Sequence, residues 1–576
     1  MAEIIFLTTS TAPPMGLGQL AKSLSSHGIQ SGLVSFGEKF NLLERKGQED
    51  KHNRKVFAQE VEKELRRLNL GKKGVRFIGM PMYDSVDQKA EVEIARIVKR
   101  IYPKIKLIGG GPAFTSNPRG FFAQGKFDYA IRGEAEKALP KLINAIKQKR
   151  NVDDVEGLVY RKSGRIITKP ITLLTQEEIQ KETMPLSRIG AGAMTYTERG
   201  CPNACIFCTV PRKGKPVQLE IEEIIRGLKQ LTKNPEIKVV SFMDDHLMHD
   251  RPRAIKLLRA INENGLNKKL KFATSISVDS LLKNGQPDGE LLNWMKRAGI
   301  VRVFVGTEAF NNPMLAELKN GKYTKEQAVE LNHAISRKGI WVEHYMLAGG
   351  IETRAKDFIE SYYTLQKLRQ RRFNSSNQIG LIQAIKGTKI YQTASKEGML
   401  LDLRGRKAIP IRDRQIGKRF VSPKDPLLAQ MIKENLKQKL TTLTSEDLDK
   451  VIKLAKAVGQ TDSHAAQYVK RLLKVKAHTT LQNKFLDEAK AHFFVDMIER
   501  ELKLRGLNYT QERAETLLQE KELKDRMLKH AESMAVAYLT HKRKIQKLKG
   551  TERLRSIQKM RHRLGQGMTL TVLRKK

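Results

Sequence analysis

The chain has 576 residues, of which 40% are hydrophobic, so it is too long for a single core and we expect about three domains at ordinary domain sizes. No apolar run approaches the roughly 20 residues needed to span a bilayer, and the first residues are too short and acidic a stretch for a signal peptide, so a cytoplasmic protein is expected. The net charge of +45, from 107 Lys and Arg against 62 Asp and Glu, indicates a polyanionic partner, an anionic membrane surface or a generally lysine-rich organism.

Residues 1–150 alternate between strand-like and helix-like patterns. Strands are predicted over 4–7, 31–36, 75–80 and 105–108, with a last strand and its turn over 128–136. Helices are predicted over 17–27, 56–68, 90–102 and 138–147. This alternation predicts a parallel, doubly wound sheet of the Rossmann or flavodoxin-like type, whose ligand would lie beyond the carboxyl ends of the strands.

Glycines stand at two of the predicted strand-to-helix turns. They are Gly16 and Gly18 before the first helix, and Gly109, Gly110 and Gly111 after the strand over 105–108. Glycine at such a turn lets backbone amides approach an anionic or polar ligand, although it is also ordinary turn chemistry. Residues 151–187 then form a predicted linker that contains a β-hairpin over 157–167.

All three cysteines of the chain lie within eight residues, at Cys201, Cys205 and Cys208. Thiolates at this spacing can hold one corner of a cuboidal iron–sulfur cluster and leave a fourth iron without a protein ligand. That open iron can chelate S-adenosylmethionine (SAM), which the cluster can cleave to a 5′-deoxyadenosyl radical. Two alternatives are a disulfide that leaves one cysteine over, and a zinc site with His246 or His249 as the fourth ligand.

The stretch from Tyr196 to Cys208 resembles the radical SAM superfamily, and its lead-in is most similar to members that carry an N-terminal cobalamin-binding-type domain. Three landmarks in the first domain carry the same resemblance: 13–18, Gly109-Gly110 with Pro112, and 132–136. The resemblance implies a [4Fe–4S] cluster on the three cysteines, bound SAM, and an electron donor of the flavodoxin or ferredoxin type.

The resemblance also assigns the glycines Gly16, Gly18, Gly109, Gly110 and Gly111 to cobalamin. The loop after the first strand lacks Asp-x-His-x-x-Gly, so it offers no histidine to cobalt, and cobalamin would bind base-off. Whether this domain binds cobalamin or has only kept the fold stays open at this point, because a fold does not fix a function.

After the cysteines, strands are predicted over 237–242, 270–275, 301–305, 341–347 and 379–385, with helices over 220–232 and 291–298. Together with the strand before Cys201 they predict a partial (β/α)6 radical SAM barrel over 188–398, whose active site lies where the strands end. The resemblance places five residues at SAM: Asp244, Ser275, Glu308, Gly349 and Gly350.

Other roles are open for several residues near the predicted barrel mouth. Asp245 could be a structural cap, Glu308 a partner in a barrel-mouth salt bridge, and His246 a solvent-exposed loop histidine. His344 and Tyr345 point to opposite faces of their strand, so at most one of them should look into the barrel.

Residues 399–576 are predicted to form a helical, basic C-terminal region, with helices over 444–459, around 494–506 and over 511–549. The last 35 residues, 542–576, contain thirteen Lys and Arg and one acidic residue. Such a run is either a solvated tail or a contact for RNA or anionic lipid. The scarcity of aromatic residues there favours contact with backbone charge over base stacking.

The sequence therefore predicts a radical SAM enzyme. If cobalamin binds, the expected chemistry is hydrogen abstraction and methyl transfer to an unactivated carbon. Without cobalamin, the same radical could drive cyclisation, rearrangement or carbon–carbon bond formation. A methylthiotransferase is disfavoured because the first 200 residues contain no cysteine for a second cluster. The alternative from another class is an RNA- or ribosome-associated factor anchored by its basic tail.

Overall fold

The structure is a computed structural model in which the chain divides into two units, Met1–Val469 and Lys470–Lys576. In the first unit it describes residues 2–469 except 11–13, 38–50, 72, 84–87, 172, 181–186, 190–191, 215, 370–373, 376–377, 412–416, 439–441, 445–447 and 461–466. In the second unit it describes residues 471–473. The predicted helices around 494–506 and over 511–549, and the basic segment 542–576, lie outside the described residues.

The N-terminal sheet has seven strands in the order β2-β1-β3-β4-β5-β6-β7. The first five are parallel, and the hairpin of β6 and β7 extends the same sheet in antiparallel fashion. The strands are β1 (Ile4–Thr8), β2 (Ser31–Ser35), β3 (Phe77–Pro81), β4 (Lys106–Gly110), β5 (Tyr129–Ile131), β6 (Leu158–Lys162) and β7 (Arg165–Thr168). The order 2-1-3-4-5 is that of flavodoxin-like folds, in which ligands bind where the strand order reverses, between β1 and β3.

Helices cover both faces of this sheet. They are α1 (Met15–Ser26), α2 (Lys51–Leu68), α3 (Gln88–Ile101), α4 (Pro112–Ser116), α5 (Pro118–Gly125) and α6 (Ala138–Lys147). One apolar core holds Val61 of α2 and Val98 of α3, and a separate core holds Leu24 of α1 and Leu142 of α6. Two cores on one parallel sheet confirm the predicted doubly wound domain.

The second sheet has nine strands: eight follow the order β22-β19-β17-β16-β13-β12-β9-β8, and β18 pairs beside β17. The six from β9 to β19 along this path are parallel, and β8 and β22 are antiparallel at the two edges. The strands are β8 (Ser187–Ile189), β9 (Gly192–Thr195), β12 (Val239–Phe242), β13 (Lys271–Ser277), β16 (Ile300–Glu308), β17 (Trp341–Ala348), β18 (Asn374–Ser375), β19 (Gln378–Leu381) and β22 (Thr442–Thr444). This is the predicted partial (β/α)6 barrel.

Shorter pairs of strands lie outside the two large sheets: β10 (Glu198–Arg199) with β11 (Val217–Gln218), β14 (Leu282–Lys283) with β15 (Gln286–Pro287), and β20 (Leu400–Leu401) with β21 (Phe420–Val421). The remaining helices are α7 (Gln176–Gln180), α8 (Ile221–Leu231), α9 (Arg251–Glu263), α10 (Leu266–Lys269), α11 (Gly289–Arg297), α12 (Asn312–Lys319), α13 (Lys325–Arg337), α14 (Ala355–Arg369), α15 (Lys389–Lys396), α16 (Pro426–Lys437) and α17 (Leu448–Gly459). The segment after 399 thus contributes strands as well as helices.

Local sequence explains where several barrel helices begin. Asp288, Asn311 and Asp425 are N-caps that accept the backbone N–H three residues on, and Thr324 forms a capping box with Gln327 at the start of α13. The helices α9, α13 and α14 were not predicted from the sequence, although Asp250 and Thr324 are ordinary N-cap residues.

The parallel strands of the barrel bury one face against helices. On β17 the even-numbered residues are buried, and His344 hydrogen-bonds both Thr307 and Asn332 of α13. Tyr345 therefore points to the other, concave face, which confirms that the two residues lie on opposite sides of the strand. Within the described residues, no helix is both long enough and apolar enough to cross a membrane.

Candidate active site

The cysteine loop leaves the barrel after β9 and is held at its base by backbone hydrogen bonds. The N–H of Cys201 donates to the carbonyl of Arg212 at 3.1 Å, and the N–H of Gly214 donates to the carbonyl of Cys201 at 2.8 Å. Two sulfur atoms accept backbone N–H groups, Cys201 from Asn203 and Cys208 from Val210, each at 3.4 Å. These amides are suited to support thiolates that carry metal.

All three thiols are free and half-buried. Burial raises the pKa of Cys201 to about 11, and it also raises the pKa of Cys208. In a site that disfavours thiolate charge to this degree, a bound cation is needed to displace the protons. Across the described part of the chain, no group of three or more Cys, His, Asp or Glu side chains converges as a single-ion site. The three cysteines match the ligand number of a cuboidal cluster that leaves one iron without a protein ligand, whereas a structural zinc site takes four ligands.

The two histidines of the zinc alternative differ in their surroundings. The Nε2 atom of His249 lies 3.2 Å from a carboxylate oxygen of Glu198, so this ring is engaged away from the thiols. His246 is buried, and its Nδ1 lies 3.8 Å from the sulfur of Cys201. The solvent-exposed loop position that we considered for His246 is therefore wrong. Burial lowers the pKa of His246 to about 4, so the ring is neutral at physiological pH.

Asp244 and Asp245 have different tasks in the turn after β12. One oxygen of Asp244 accepts the N–H groups of Thr197 and Glu198 at 2.6 and 2.7 Å, which fixes the strand that leads to the cysteines. Burial, and then the charge of Glu198, raise the pKa of Asp244 to about 7. Its Oδ2 atom is buried and has no hydrogen-bond partner among the described residues. Asp245 accepts the N–H of Gly200 at 3.1 Å and is exposed to the cavity described below.

The predicted SAM residues Ser275 and Glu308 lie on neighbouring strands of the barrel. Ser275 is half-buried on β13. Glu308 ends β16 with a left-handed backbone, φ 60°, is buried, and forms no salt bridge within the described part of the chain, so the predicted barrel-mouth salt bridge is not seen there. Burial raises the pKa of Glu308 to about 7, and the nearby charge of Lys319 lowers it only in part. A buried carboxyl group in a strained turn at a barrel mouth is typical of a functional site.

Three further residues near this mouth were missed from the sequence. Lys319 is buried at the end of α12, and the Nζ of Lys322 donates to the side-chain oxygen of Asn203 in the cysteine loop. Tyr323 donates its hydroxyl to backbone carbonyls at the end of β16, at 3.1 and 2.9 Å. A short Lys-rich connection between two helices is normally exposed, so the sequence gives no sign that these side chains are near the site. They lie at the barrel mouth only because α12 packs against the cysteine loop.

Gly349 and Gly350 follow β17 and have a packing role. Gly349 has φ 86°, which favours glycine, and a side chain at Gly350 would meet the carboxylate of Glu317. Glu317 accepts the N–H of Glu352 at 3.1 Å, so the carboxylate fills the turn. The placement of these glycines at SAM stays a prediction.

A cavity of about 500 Å³ lies at the carboxyl edge of the N-terminal sheet and is shared with the barrel. Its lining from the first domain includes Gly16, Gly109, Gly110 and Gly111. Gly18 lies on α1, is exposed and is not among the lining residues. Side chains at Gly16 would enter open space, since no other atom lies within 4 Å of the position of a Cβ. By contrast, a Cβ at Gly109 would meet the ring of Phe114 and one at Gly111 would meet the backbone of Met82, so packing requires glycine at these two positions.

The barrel contributes the opposite wall of this cavity through Tyr196, Glu198, Arg199, Met243 and Asp245. These residues flank Cys201 in the loop or in the turn after β12. One cavity therefore touches both the glycine-rich edge of the first domain and the immediate surroundings of the cysteines.

A largely buried cluster of ion pairs joins the two domains at this point. Glu134, in the turn after β5, accepts from Arg212 and from the N–H of Leu174, the latter at 2.6 Å. Arg199 lies 2.8 Å from Glu136 and 3.5 Å from Glu134. Because Arg212 also carries the carbonyl that binds Cys201, the landmark over 132–136 fixes the base of the cysteine loop. We refer to Glu134, Glu136, Arg199 and Arg212 as the interdomain clamp.

Comparison with known proteins defines the class. Residues 195–362 match the sequence family described as the Radical SAM superfamily. The six parallel strands, the cysteine loop and this match agree, so residues 195–362 form a radical SAM domain and the protein is a radical SAM enzyme.

Individual relatives extend the similarity to both domains. The chain is 22% identical over 459 residues to an uncharacterised methyltransferase of Pyrococcus horikoshii, PH0819, an alignment that covers 77% of this chain and 87% of the relative. Its fold is similar to that of the radical SAM methyltransferase TsrM from Kitasatospora setae with cobalamin and a [4Fe–4S] cluster bound, with a TM-score of 0.60, 15% identity, and coverage of 83% of this chain and 100% of TsrM. It is also similar to the cobalamin-dependent SAM radical enzyme OxsB with aqua-cobalamin bound, with a TM-score of 0.58, 15% identity, and coverage of 92% and 81%. At these identities the solved structures establish the fold.

Proposed function

We propose that the protein is a cobalamin-dependent radical SAM methyltransferase that methylates an unactivated carbon. The observation that carries this proposal is the cavity shared by Gly16, Gly109 to Gly111 and the residues beside Cys201. When bound, the [4Fe–4S] cluster supplies the electron that cleaves SAM to a 5′-deoxyadenosyl radical, and methylcobalamin supplies a methyl group.

The residues of the cavity fit a corrin. Its walls are mainly apolar, with Leu17, Leu20, Met80 and Leu139 around the glycines, and it lies at the switch point between β1 and β3. Histidine is not among the described lining residues, which supports base-off binding without a histidine ligand to cobalt. The methyltransferase PH0819 and the cobalamin-bound structures of TsrM and OxsB, which are similar to this chain, support the same assignment.

In this proposal Cys201, Cys205 and Cys208 hold the cluster, and the amides of Asn203 and Val210 support two of the thiolates. Glu308 and Ser275 are proposed to contact SAM. The cation of Lys319 at the same mouth is suited to the SAM carboxylate. The unpartnered Oδ2 of Asp244 is suited to its amino group.

The cobalamin assignment is tested by filling the cavity. Gly16→Leu places a side chain in open space within the first turn of α1, and Gly289→Leu places the same side chain in open space at the exposed start of α11. Protein would be purified anaerobically from cells grown with cobalamin and its corrin content measured by absorption. We expect wild type and Gly289→Leu to retain cobalamin and Gly16→Leu to lose most of it. A wild-type protein without corrin would contradict this assignment and favour the cobalamin-free reactions.

The radical chemistry is tested separately. After anaerobic reconstitution, wild type should form 5′-deoxyadenosine from SAM, and Cys205→Ala should not. Equal yields from the two proteins would contradict the enzyme assignment. Methyl transfer would then be followed with SAM labelled in its methyl group.

Partners follow from the same chemistry. We propose that a flavodoxin- or ferredoxin-type protein reduces the cluster in the cytoplasm, because the reaction consumes low-potential electrons. Contact of residues 542–576 with RNA or anionic lipid is a prediction from charge alone.

A further inference from the structure

The concave face of the barrel carries three aromatic side chains, of which Trp341 and Tyr345 are exposed and Phe304 is half-buried. The strands β16 and β17 bury alternate residues against the outer helices, so Phe304, Trp341 and Tyr345 point to the opposite face. Leu347 lies on this face and packs in the same apolar cluster as Ile206 and Phe207 of the cysteine loop. The row therefore faces the side of the barrel on which the cysteines lie.

The aromatic side chains are organised as a stack. The rings of Phe304 and Tyr345 are nearly parallel, 10° apart, with centroids separated by 5.8 Å. The guanidinium carbon of Arg302 lies 5.0 Å from the centroid of Phe304. Tyr345 is the most exposed member, at 51%. Such large aromatic exposure inside a barrel, where each neighbouring even-numbered residue is buried, indicates a surface for a ligand.

Small residues lie beside this stack, on neighbouring strands of the concave face. The pairing register places Ser241 beside Ala273, Ala273 beside Arg302, and Ser275 beside Phe304. Gly306 pairs with Tyr345. An arc of serine, alanine and glycine next to three aromatic residues leaves room beside the ring of Tyr345.

The charges of the wall are balanced. Arg302 forms an ion pair with Glu343, its neighbour on the same face. Burial raises the pKa of Tyr345, so its phenol is neutral at physiological pH. Apart from Glu308 at the mouth, the charged side chains on the described concave face of β16 and β17 are thus paired with each other, and a charged ligand group beside Phe304 would find no free counter-ion in that pair.

We propose that the concave face binds a flat, uncharged, unsaturated ring of the substrate, stacked on Tyr345. This names a substrate class for the site of the proposed methyltransferase and rests on that function. Tyr345 lies two residues, or about 7 Å of strand, below Leu347 at the level of the cysteine loop. A ring on Tyr345 therefore lies about 7 Å of strand from the residue that packs with the cysteine loop.

The test uses two probes of similar shape that differ in unsaturation. They are 2-naphthalenemethanol and its fully saturated decahydro counterpart, and their binding to the full-length reconstituted protein is measured by ligand-detected NMR. Cobalamin is present to fill the interdomain cavity. We expect wild type to bind the aromatic probe about 5-fold more tightly, in keeping with the strength of aromatic stacking. Tyr345→Phe should keep this preference, and Tyr345→Leu should abolish it.

The matched control is Trp294→Leu, which removes an aromatic ring from α11, where Arg259 and Arg297 flank it. This variant should keep the wild-type preference. Equal binding of the two probes by wild type, no binding of either, or an unchanged preference in Tyr345→Leu would each overturn the proposal. Formation of 5′-deoxyadenosine is measured in the same samples. A wild-type protein that prefers the aromatic probe but forms no 5′-deoxyadenosine would contradict the enzyme function and still support aromatic binding at Tyr345.

Discussion

The interdomain clamp makes a strong prediction, because Glu134 is the carboxylate on which both arginines converge. The change is Glu134→Gln, which keeps the size of the side chain and removes its charge. Arg212 is 8% exposed and Glu134 15%, so neither group can be compensated fully by water. Arg212 would then be a buried cation without a counter-ion, and Arg199 would keep Glu136.

The magnitude follows from the hydrogen bonds that are lost. Arg212 donates twice to Glu134, and a hydrogen bond to a charged group contributes about 1.5–3 kcal/mol. Breaking a buried pair by removing one partner costs about 3–5 kcal/mol. We take about 3 kcal/mol for local opening of the loop base, which corresponds to about a 100-fold change in an opening equilibrium, since each 1.4 kcal/mol is tenfold.

The assay is amide hydrogen exchange followed by mass spectrometry. The segment from Gly200 to Gly214 contains the N–H groups that bind Arg212 and Cys201, so its protection reports the base of the cysteine loop. We expect these amides to exchange about 100-fold faster in Glu134→Gln. The control is Glu290→Gln, which loses ion pairs that are half-exposed and should change exchange little. Equal protection in the two variants would refute the role of the clamp.

Acid should act on the same contact. Burial opposes the charge of Glu134, but the hydrogen bond from Arg212 and the charges of both arginines outweigh it, and the pKa is lowered. A carboxyl group with a lowered pKa in the folded state contributes stability above its ordinary pKa of 4.5, and this stability is lost as pH falls through the lowered value. Protection of the loop in wild type should therefore fall at acid pH, and Glu134→Gln should show a flatter profile.

Other predictions concern the cysteine loop, the barrel mouth and the tail. Burial raises the pKa of Glu308 to about 7, so the wild-type protein loses stability as pH rises from about 4.5 to 7, which is the opposite of the effect of Glu134. Glu308→Gln should therefore unfold at a higher temperature than wild type at pH 8 and at a similar temperature at pH 4. Gly200 has φ 99°, and a Cβ there would lie 2.5 Å from the Cβ of Arg212, so Gly200→Ala should lose most of the bound iron. Gly214 has φ 78° and open space around its Cβ position, so Gly214→Ala should lose little iron. Similar iron contents in the two variants would contradict this prediction. Deletion of 542–576 should reduce retention on RNA or anionic vesicles at low salt, and unchanged retention would show that this segment is not the anchor.

The distinct environments of the acidic residues in the turn after β12 show the limit of prediction. A strand ending in Asp244-Asp245-His246 indicates a polar barrel mouth, and the structure agrees. The sequence does not say that Asp244 binds the amides of Thr197 and Glu198, because those partners lie 47 and 46 residues away. Nor does it show that His246 is buried beside Cys201, since an Asp-Asp-His turn is as compatible with a solvated loop.

The amino-acid sequence by itself determined the class of this protein. Three cysteines in eight residues predict a cluster-binding loop, and hydrophobic periodicity predicts strands and helices, because both signals are contained in short stretches of chain. The tertiary structure alone decided which residues surround that loop. Glu134 meets Arg212 across 78 residues of sequence, and Phe304 meets Tyr345 only after β16 and β17 pair. Side chains distant along the chain acquire common surroundings only when the sheets close, so their burial and charge cannot be assigned from local pattern.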